Sequence, residues 1–237
     1  MRPTARLLMD PPRDAATNMA TDSALFQSAP SSPFPATLRV YGWKPRAVSI
    51  GRRQKSEDLN LRYCMDNGID VVKRPGGGAA VYHDREITYA FVCRTDLLTP
   101  PTSGEWRKVF TRLLEKLGLA ADDANVCRGG SAKDASCFSC AGEDEPTVNG
   151  KKFVGNSRRK SKTAYMQHGS ILLESQPDFL RRAVRNPGTD NSVGLLDLAP
   201  ALRPEKVSEE FISAVSEILN LNFQPTAMKG EGRPSTS

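Results

Sequence analysis

No run in this chain approaches the roughly 20 apolar residues that a membrane span needs. The opening MRPTARLLMDPPRD carries no apolar stretch of signal-peptide length either, so a cytoplasmic protein is expected. Cysteine is sparse and odd in number: Cys64, Cys93, Cys127, Cys137 and Cys140 are 5 scattered positions, which argues for reduced thiols and against a disulfide framework. Histidine is scarcer still, with only His83 and His168. Cys137 and Cys140 form a Cys-x-x-Cys pair, but no second such pair and no His-x-His pairing completes the four ligands of a tetrahedral zinc site, so no metal is expected. A thioredoxin-like redox motif would open a helix after a strand, and this pair falls in a stretch of little periodicity. No Walker sequence and no internal repeat occur.

What the chain does have is an excess of positive charge. Lys and Arg number 33 against 27 Asp and Glu, a net +6, so the surface should attract an acidic partner. Bulk charge does not separate nucleic acid, an acidic carrier protein and a nucleotide.

The 237 residues suit one globular domain. Asp14 to Gln27 reads as a helix, Ala29 to Pro35 as a loop, and Thr37–Tyr41 with Ala47–Gly51 as a strand pair around a turn at Gly42-Trp43-Lys44-Pro45. A short helix over Ser56–Asn67, a strand over Asp70–Arg74 and a β-branched, aromatic strand over Glu86–Cys93 follow. Ser103 to Gly118 is the clearest helix: Trp106, Val109, Phe110, Leu113, Leu114 and Leu117 make one apolar stripe, with Ser103 as its cap and Gly118 as its end. Thr147 to Val154 predicts a hairpin turning at Asn149-Gly150. Gln167–Glu174 reads as a strand, and Pro177–Val184 and Pro204–Leu219 as helices. Antiparallel-looking pairs with flanking helices indicate an α+β fold rather than a βαβ series. Residues 1–13 are expected to be an N-terminal segment, 14–224 the domain, and 225–237 a disordered tail.

Three segments can carry chemistry. In Arg74-Pro75-Gly76-Gly77-Gly78-Ala79-Ala80-Val81-Tyr82-His83-Asp84 the glycines leave backbone N–H groups unobstructed, free to wrap a phosphate or a thin acyl chain. The bland alternative is a flexible strand connection. The run from Asn149 to Arg159 places lysines beside a hairpin, where a fixed charge can face a carbonyl or phosphate oxygen, and Gly155 lets a ligand approach the backbone. Arg158, Arg159, Lys160 and Lys162 read as a solvated basic face able to dock an acidic partner. Finally, a cysteine at 137 or 140 near Lys151 and Lys152 would have its thiolate favoured by positive charge, as a nucleophile requires.

Together these segments resemble the lipoate-protein ligase A and octanoyltransferase family, which is related to the catalytic domains of biotin protein ligases. The resemblance runs through Asn18-Met19-Ala20-Thr21-Asp22-Ser23-Ala24-Leu25, Arg39-Val40-Tyr41-Gly42-Trp43, Ser49-Ile50-Gly51, the Arg74–Asp84 loop, Gly150–Ser157 and Gln167–Leu173. It implies a single α+β domain of mixed and antiparallel sheets that cradles a fatty or lipoyl chain. It also implies that Lys152 is the motif lysine at the acyl carbonyl, and that Arg74, Gly76, Gly77, Gly78, His83, Gly155, Asn156, His168 and Gly169 bind substrate.

Cys137-Phe138, fifteen residues before Lys152, and Glu86-Ile87-Thr88-Tyr89 resemble the cysteine-dependent octanoyltransferase branch. For that branch the resemblance implies a Cys137 thioester, acyl carrier protein as donor, and a lipoyl-domain acceptor such as glycine cleavage H protein or a 2-oxoacid dehydrogenase E2, with no cofactor. The uninterrupted Gly76-Gly77-Gly78-Ala79 instead resembles the ATP-dependent lipoate ligases, which use ATP and Mg2+ and pass through a lipoyl-adenylate. A third reading is a non-catalytic carrier- or nucleic-acid-binding module. Nucleic acid is disfavoured, because Tyr165 is the only aromatic residue near the basic run.

Overall fold

The computed structural model describes residues 1–122, 138, 141–186 and 189–226. The chain opens with strand β1 (Thr4–Met9) and helix α1 (Ala15–Ser28). Asp14 caps α1: its carboxylate accepts the Thr17 N–H at 2.8 Å and the Thr17 hydroxyl at 2.7 Å, satisfying a donor that the first turn leaves without a partner. Then come β2 (Ala36–Tyr41), β3 (Ala47–Ile50), α2 (Leu61–Asp66), β4 (Asp70–Lys73), β5 (Val81–His83) and β6 (Glu86–Arg94). Helix α3 (Ser103–Lys116) precedes β7 (Thr147–Val148), β8 (Lys151–Lys152), β9 (Val154–Lys160) and β10 (Ala164–Leu172). Helices α4 (Pro177–Ala183), α5 (Leu195–Leu198) and α6 (Pro204–Ile218) and strand β11 (Asn222–Pro225) complete the described chain.

The fold is α+β, as expected. A six-stranded sheet runs β11-β1-β2-β6-β10-β9, parallel at β1 and antiparallel from β2 onward. A smaller sheet runs β4-β3-β5, and β7 and β8 form the hairpin. In that hairpin Asn149 (φ 53°) and Gly150 (φ 70°) take the left-handed conformations that a tight two-residue turn demands.

Two expectations need correction. Thr37–Tyr41 and Ala47–Gly51 do form strands, but not a pair with each other. β2 has both edges taken, by β1 and β6, so β3 must pair elsewhere and joins β4 and β5. The cap of α3 is Thr102 rather than Ser103: the Thr102 hydroxyl accepts the Glu105 N–H at 3.2 Å while the Glu105 carboxylate accepts the Thr102 N–H at 2.8 Å. Gly118 ends that helix with φ 73°, as predicted. Strands β1 and β11 had no sequence signal, and they pair with each other through Thr4–Leu7 and Asn222–Pro225. The rest of the predicted tail, residues 227–237, lies outside the described residues.

The main core lies between one face of the large sheet and helices α3 and α6. Tyr89 and Phe91 of β6 meet Trp106 and Phe110 of α3 and Phe211 of α6, with Tyr89 and Phe211 ring centroids 4.8 Å apart. Trp106 is fully buried. Its replacement by alanine should cost about 3–5 kcal/mol of stability through lost burial and an unfilled cavity. Urea unfolding measures this, and a loss below about 1 kcal/mol would mean that the helix layer relaxes around the gap.

Candidate active site

Side chains alternate along a strand, so the residues of β6 and β10 that do not meet α3 and α6 face the other way, toward α1 and the small sheet. Thr88, His168 and Ser170 line a cleft there, together with Trp43, Ser49, Val81 and His83. Arg74, His83, Gly155, Asn156, His168 and Gly169, all predicted from sequence, line this one cleft.

Arg74 shapes the cleft mainly by holding the glycine loop. Its guanidinium donates to the carbonyls of Gly77 at 2.7 Å, Ala79 at 2.6 Å and Ser49 at 3.0 Å. The three glycines are not equivalent. A Cβ at Gly76 would collide with the Ser157 hydroxyl and stand 2.9 Å from His168 Nε2. Gly78 has φ 88°. At Gly77 a Cβ would meet nothing within 4 Å. Gly51 matters as well, because a Cβ there would run into the Gly78 carbonyl.

His83 is held at both ring nitrogens. Nε2 lies 2.7 Å from the Ser49 hydroxyl and Nδ1 2.8 Å from the Glu86 carboxylate, and Trp43 stacks on the ring at 4.0 Å. Glu86 also accepts the Ser170 hydroxyl at 2.8 Å. His168 reaches toward Asp22 with Nδ1, at 3.4 Å, and its buried Nε2 has no hydrogen-bond partner. Asp22 is in turn fixed by Arg39 at 2.7 Å and by the Tyr41 hydroxyl at 2.8 Å. Burial first, and then the Asp22 charge, push the Tyr41 phenol well above its usual range, so it stays a neutral donor.

Lys151 is exposed and Lys152 is buried, as strand alternation requires. The Lys152 ammonium sits 2.6 Å from the Glu145 carboxylate and 5.4 Å from the centre of the Phe138 ring. Glu145 also accepts the N–H groups of Gly142 at 2.6 Å and Asn156 at 2.8 Å. Phe138 packs with Val81 and Leu172, and a Cβ at Gly155 would stand 3.1 Å from its ring. The close approach that Gly155 permits is therefore made by Phe138 in this structure. Cys137, the predicted nucleophile, lies outside the described residues, as do Cys127 and Cys140. Cys64 and Cys93 are buried, and burial raises both thiols, Cys93 to about 12, so neither is a reactive thiolate.

The basic run is not the uniform solvated face expected from sequence. Arg158 is bound to Asp144 at 2.5 Å, Gln167 at 2.8 Å and Ser103 at 3.0 Å. Arg159 lies over the Phe26 ring at 4.6 Å, and with Arg52, Arg53 and Lys160 it lines an open groove beside Gly77 and Gly78. Sequence reasoning missed Asp22, Arg39, Ser49, Glu86 and Glu145 as members of the site. Asp22, Arg39, Ser49 and Glu86 lie within segments already singled out, but nothing local shows which side chains they meet.

The structure thus combines an α+β frame, a cleft lined by His83 and His168, a glycine loop held by Arg74 and a buried lysine paired with Glu145. The chain belongs to the lipoyl protein ligase A/B catalytic domain family, whose model matches residues 14–216. It is 33% identical to the octanoyltransferase LipM of Kyrpidia tusciae, over 97% of this chain and 92% of that protein. A T. acidophilum protein solved with bound lipoic acid superposes with TM-score 0.81 at 22% identity, covering 96% of this chain and 90% of that one. A lipoate-protein ligase A bound with ATP superposes at TM-score 0.80 with 25% identity, covering 96% and 90%. Among the described residues no helix is long and apolar enough to cross a membrane.

The glycine geometry separates two substitutions of equal chemistry. Gly76→Ala should destabilise by about 1–3 kcal/mol through overpacking, whereas Gly77→Ala should stay within about 0.5 kcal/mol of the parent. Urea unfolding of both variants checks this, and equal losses would refute the distinction.

Proposed function

We propose that this chain is an octanoyltransferase that moves an octanoyl group from acyl carrier protein, through a Cys137 thioester, to a lysine of a lipoyl domain. The observation that carries the proposal is the buried Lys152 ammonium 5.4 Å from the ring of Phe138, which follows Cys137 in the chain and packs against Gly155 of the cleft. The 33% identity to an octanoyltransferase over nearly the whole chain supports it.

In the first step the Cys137 thiolate attacks the carbonyl of the donor thioester. A new S–C bond forms, the donor C–S bond breaks, and the carrier thiol leaves. In the second step the neutral amine of the lipoyl-domain lysine attacks the acyl-enzyme carbonyl: an N–C bond forms, the C–S bond to Cys137 breaks, and the proton lost by the amine goes to the departing Cys137 thiolate. Splitting the transfer in this way replaces one difficult step by two easier ones. Lys152 donates a hydrogen bond to the carbonyl oxygen, whose negative charge grows in each addition. Arg74, Gly76, Gly77, Gly78, His83, Gly155, Asn156, His168 and Gly169 hold the acyl chain and its carbonyl. No cofactor is consumed. The groove of Arg52, Arg53, Arg159 and Lys160 receives the acidic donor protein.

Intact-mass measurement after incubation with octanoyl-acyl carrier protein, before any acceptor is added, tests the proposal. A hydroxylamine-labile octanoyl adduct should map to Cys137, and Cys137→Ala should abolish it while Cys140→Ala retains most of it. If there is no adduct, and pyrophosphate is released from ATP, Mg2+ and lipoate with a tightly held lipoyl-adenylate, the chain is a ligase instead. Salt-sensitive RNA binding with neither product would make it a binding module. Reversing charge with Arg159→Glu and Lys160→Glu should slow acylation by the carrier protein and spare acylation by a small octanoyl thioester. Equal slowing with both donors would refute docking in the groove.

A further inference from the structure

The mechanism needs Lys152 as a charged donor, yet the side chain is almost fully buried, at 3% exposure. Burial favours the free amine over the ammonium. A free amine beside an acyl thioester is itself a nucleophile. It would attack the carbonyl, form an N–C bond, expel the thiolate as the C–S bond breaks, and pass its proton to that thiolate. The product, an octanoyl amide on Lys152, has no route back to a thioester.

The structure contains a counterweight. Glu145 lies 2.6 Å from Lys152 Nζ and is itself only 5% exposed. It is not a side chain free to swing away, because the N–H groups of Gly142 and Asn156 hold its two carboxylate oxygens at 2.6 and 2.8 Å. Asp144, next to Glu145 in the chain, is committed elsewhere: it pairs with Arg158 at 2.5 Å and takes the Asn156 side-chain N–H at 3.1 Å. The Phe138 ring, 5.4 Å from Nζ, adds a further attraction that only a cation feels. Glu145 precedes Lys152 by seven residues, and the β7–β8 hairpin folds the two together by pairing Thr147 with Lys152.

We propose that Glu145 is a positioning residue that keeps Lys152 an ammonium, so that the lysine orients the acyl group without being acylated by it. This rests on the proposed acyl transfer, since it presumes an acyl thioester at the site. A fixed opposite charge at contact distance in a buried site favours the charged form, and its removal shifts the balance toward the free amine that burial favours.

The test incubates the full chain, as wild type, Glu145→Gln and Glu145→Asp, with S-octanoyl-N-acetylcysteamine at pH 8, treats each with hydroxylamine, and maps the surviving octanoyl groups by peptide mass. Glu145→Gln should accumulate a hydroxylamine-resistant amide on Lys152 on the order of tenfold faster than wild type. Glu145→Asp, which keeps the charge, should remain close to wild type. A folded Glu145→Gln whose Lys152 is modified no faster than in wild type overturns the proposal. Should Glu145→Gln fail to fold, Glu145→Ala takes its place: its Lys152 should be acylated, and added formate should suppress that acylation. If formate has no effect, the proposal fails. The hydroxylamine-labile adduct on Cys137 is read in the same digest and reports on the transferase reading separately, because the free donor thioester can acylate Lys152 without any acyl-enzyme.

Discussion

The period-two alternation of β6 and β10 is the constraint on which both core and cleft depend. The strands pair antiparallel without interruption from Ala164 with Arg94 to Leu172 with Glu86. Tyr89, Phe91, Tyr165 and Ile171 therefore all fall on the face that packs α3 and α6. Thr88, His168 and Ser170 fall on the opposite face and build the cleft. A slip of one residue would exchange the two sets, putting aromatic rings in the cleft and hydroxyls and an imidazole in the core. Burial of the rings thus fixes the register, and the register places the polar groups.

A second regularity is that the buried cations are matched locally. Arg39 is held by Asp10 and Asp22, Lys152 by Glu145, and Arg74 by backbone carbonyls of the loop it organises. Removing charge from water is costly unless geometry and hydrogen bonds offset it. In each case the partner also does positional work. Asp22 faces His168, Glu145 ties down the Asn156 backbone, and Arg74 sets the path of Gly77 to Ala79. The same contacts therefore set both the electrostatics of the site and the path of its walls.

Much of this protein could be read before any coordinates. The helix beginning near Asp14, the stripe from Trp106 to Leu114 and the Asn149-Gly150 turn are local signals, each set by periodicity or a left-handed backbone within a few residues. The motif resemblance likewise named six residues that line one cleft, Arg74, His83, Gly155, Asn156, His168 and Gly169, while Gly77 and Gly78 line the basic groove beside it. What could not be read were choices between partners distant in sequence.

The sequence by itself determined element type and the chemical inventory: helices where apolar spacing repeats, turns where glycine and asparagine permit them, and two histidines and a lysine available for a site. Tertiary structure alone decided that β2 pairs with β6 and not with β3, that β1 and β11 extend the sheet, and that Lys152 faces Glu145 while His168 faces Asp22. Pairing of that kind is decided by competition among many possible edges and counter-charges once the chain is compact. The winner depends on which arrangement buries the rings and satisfies every buried ion together, a condition that no short stretch of sequence contains.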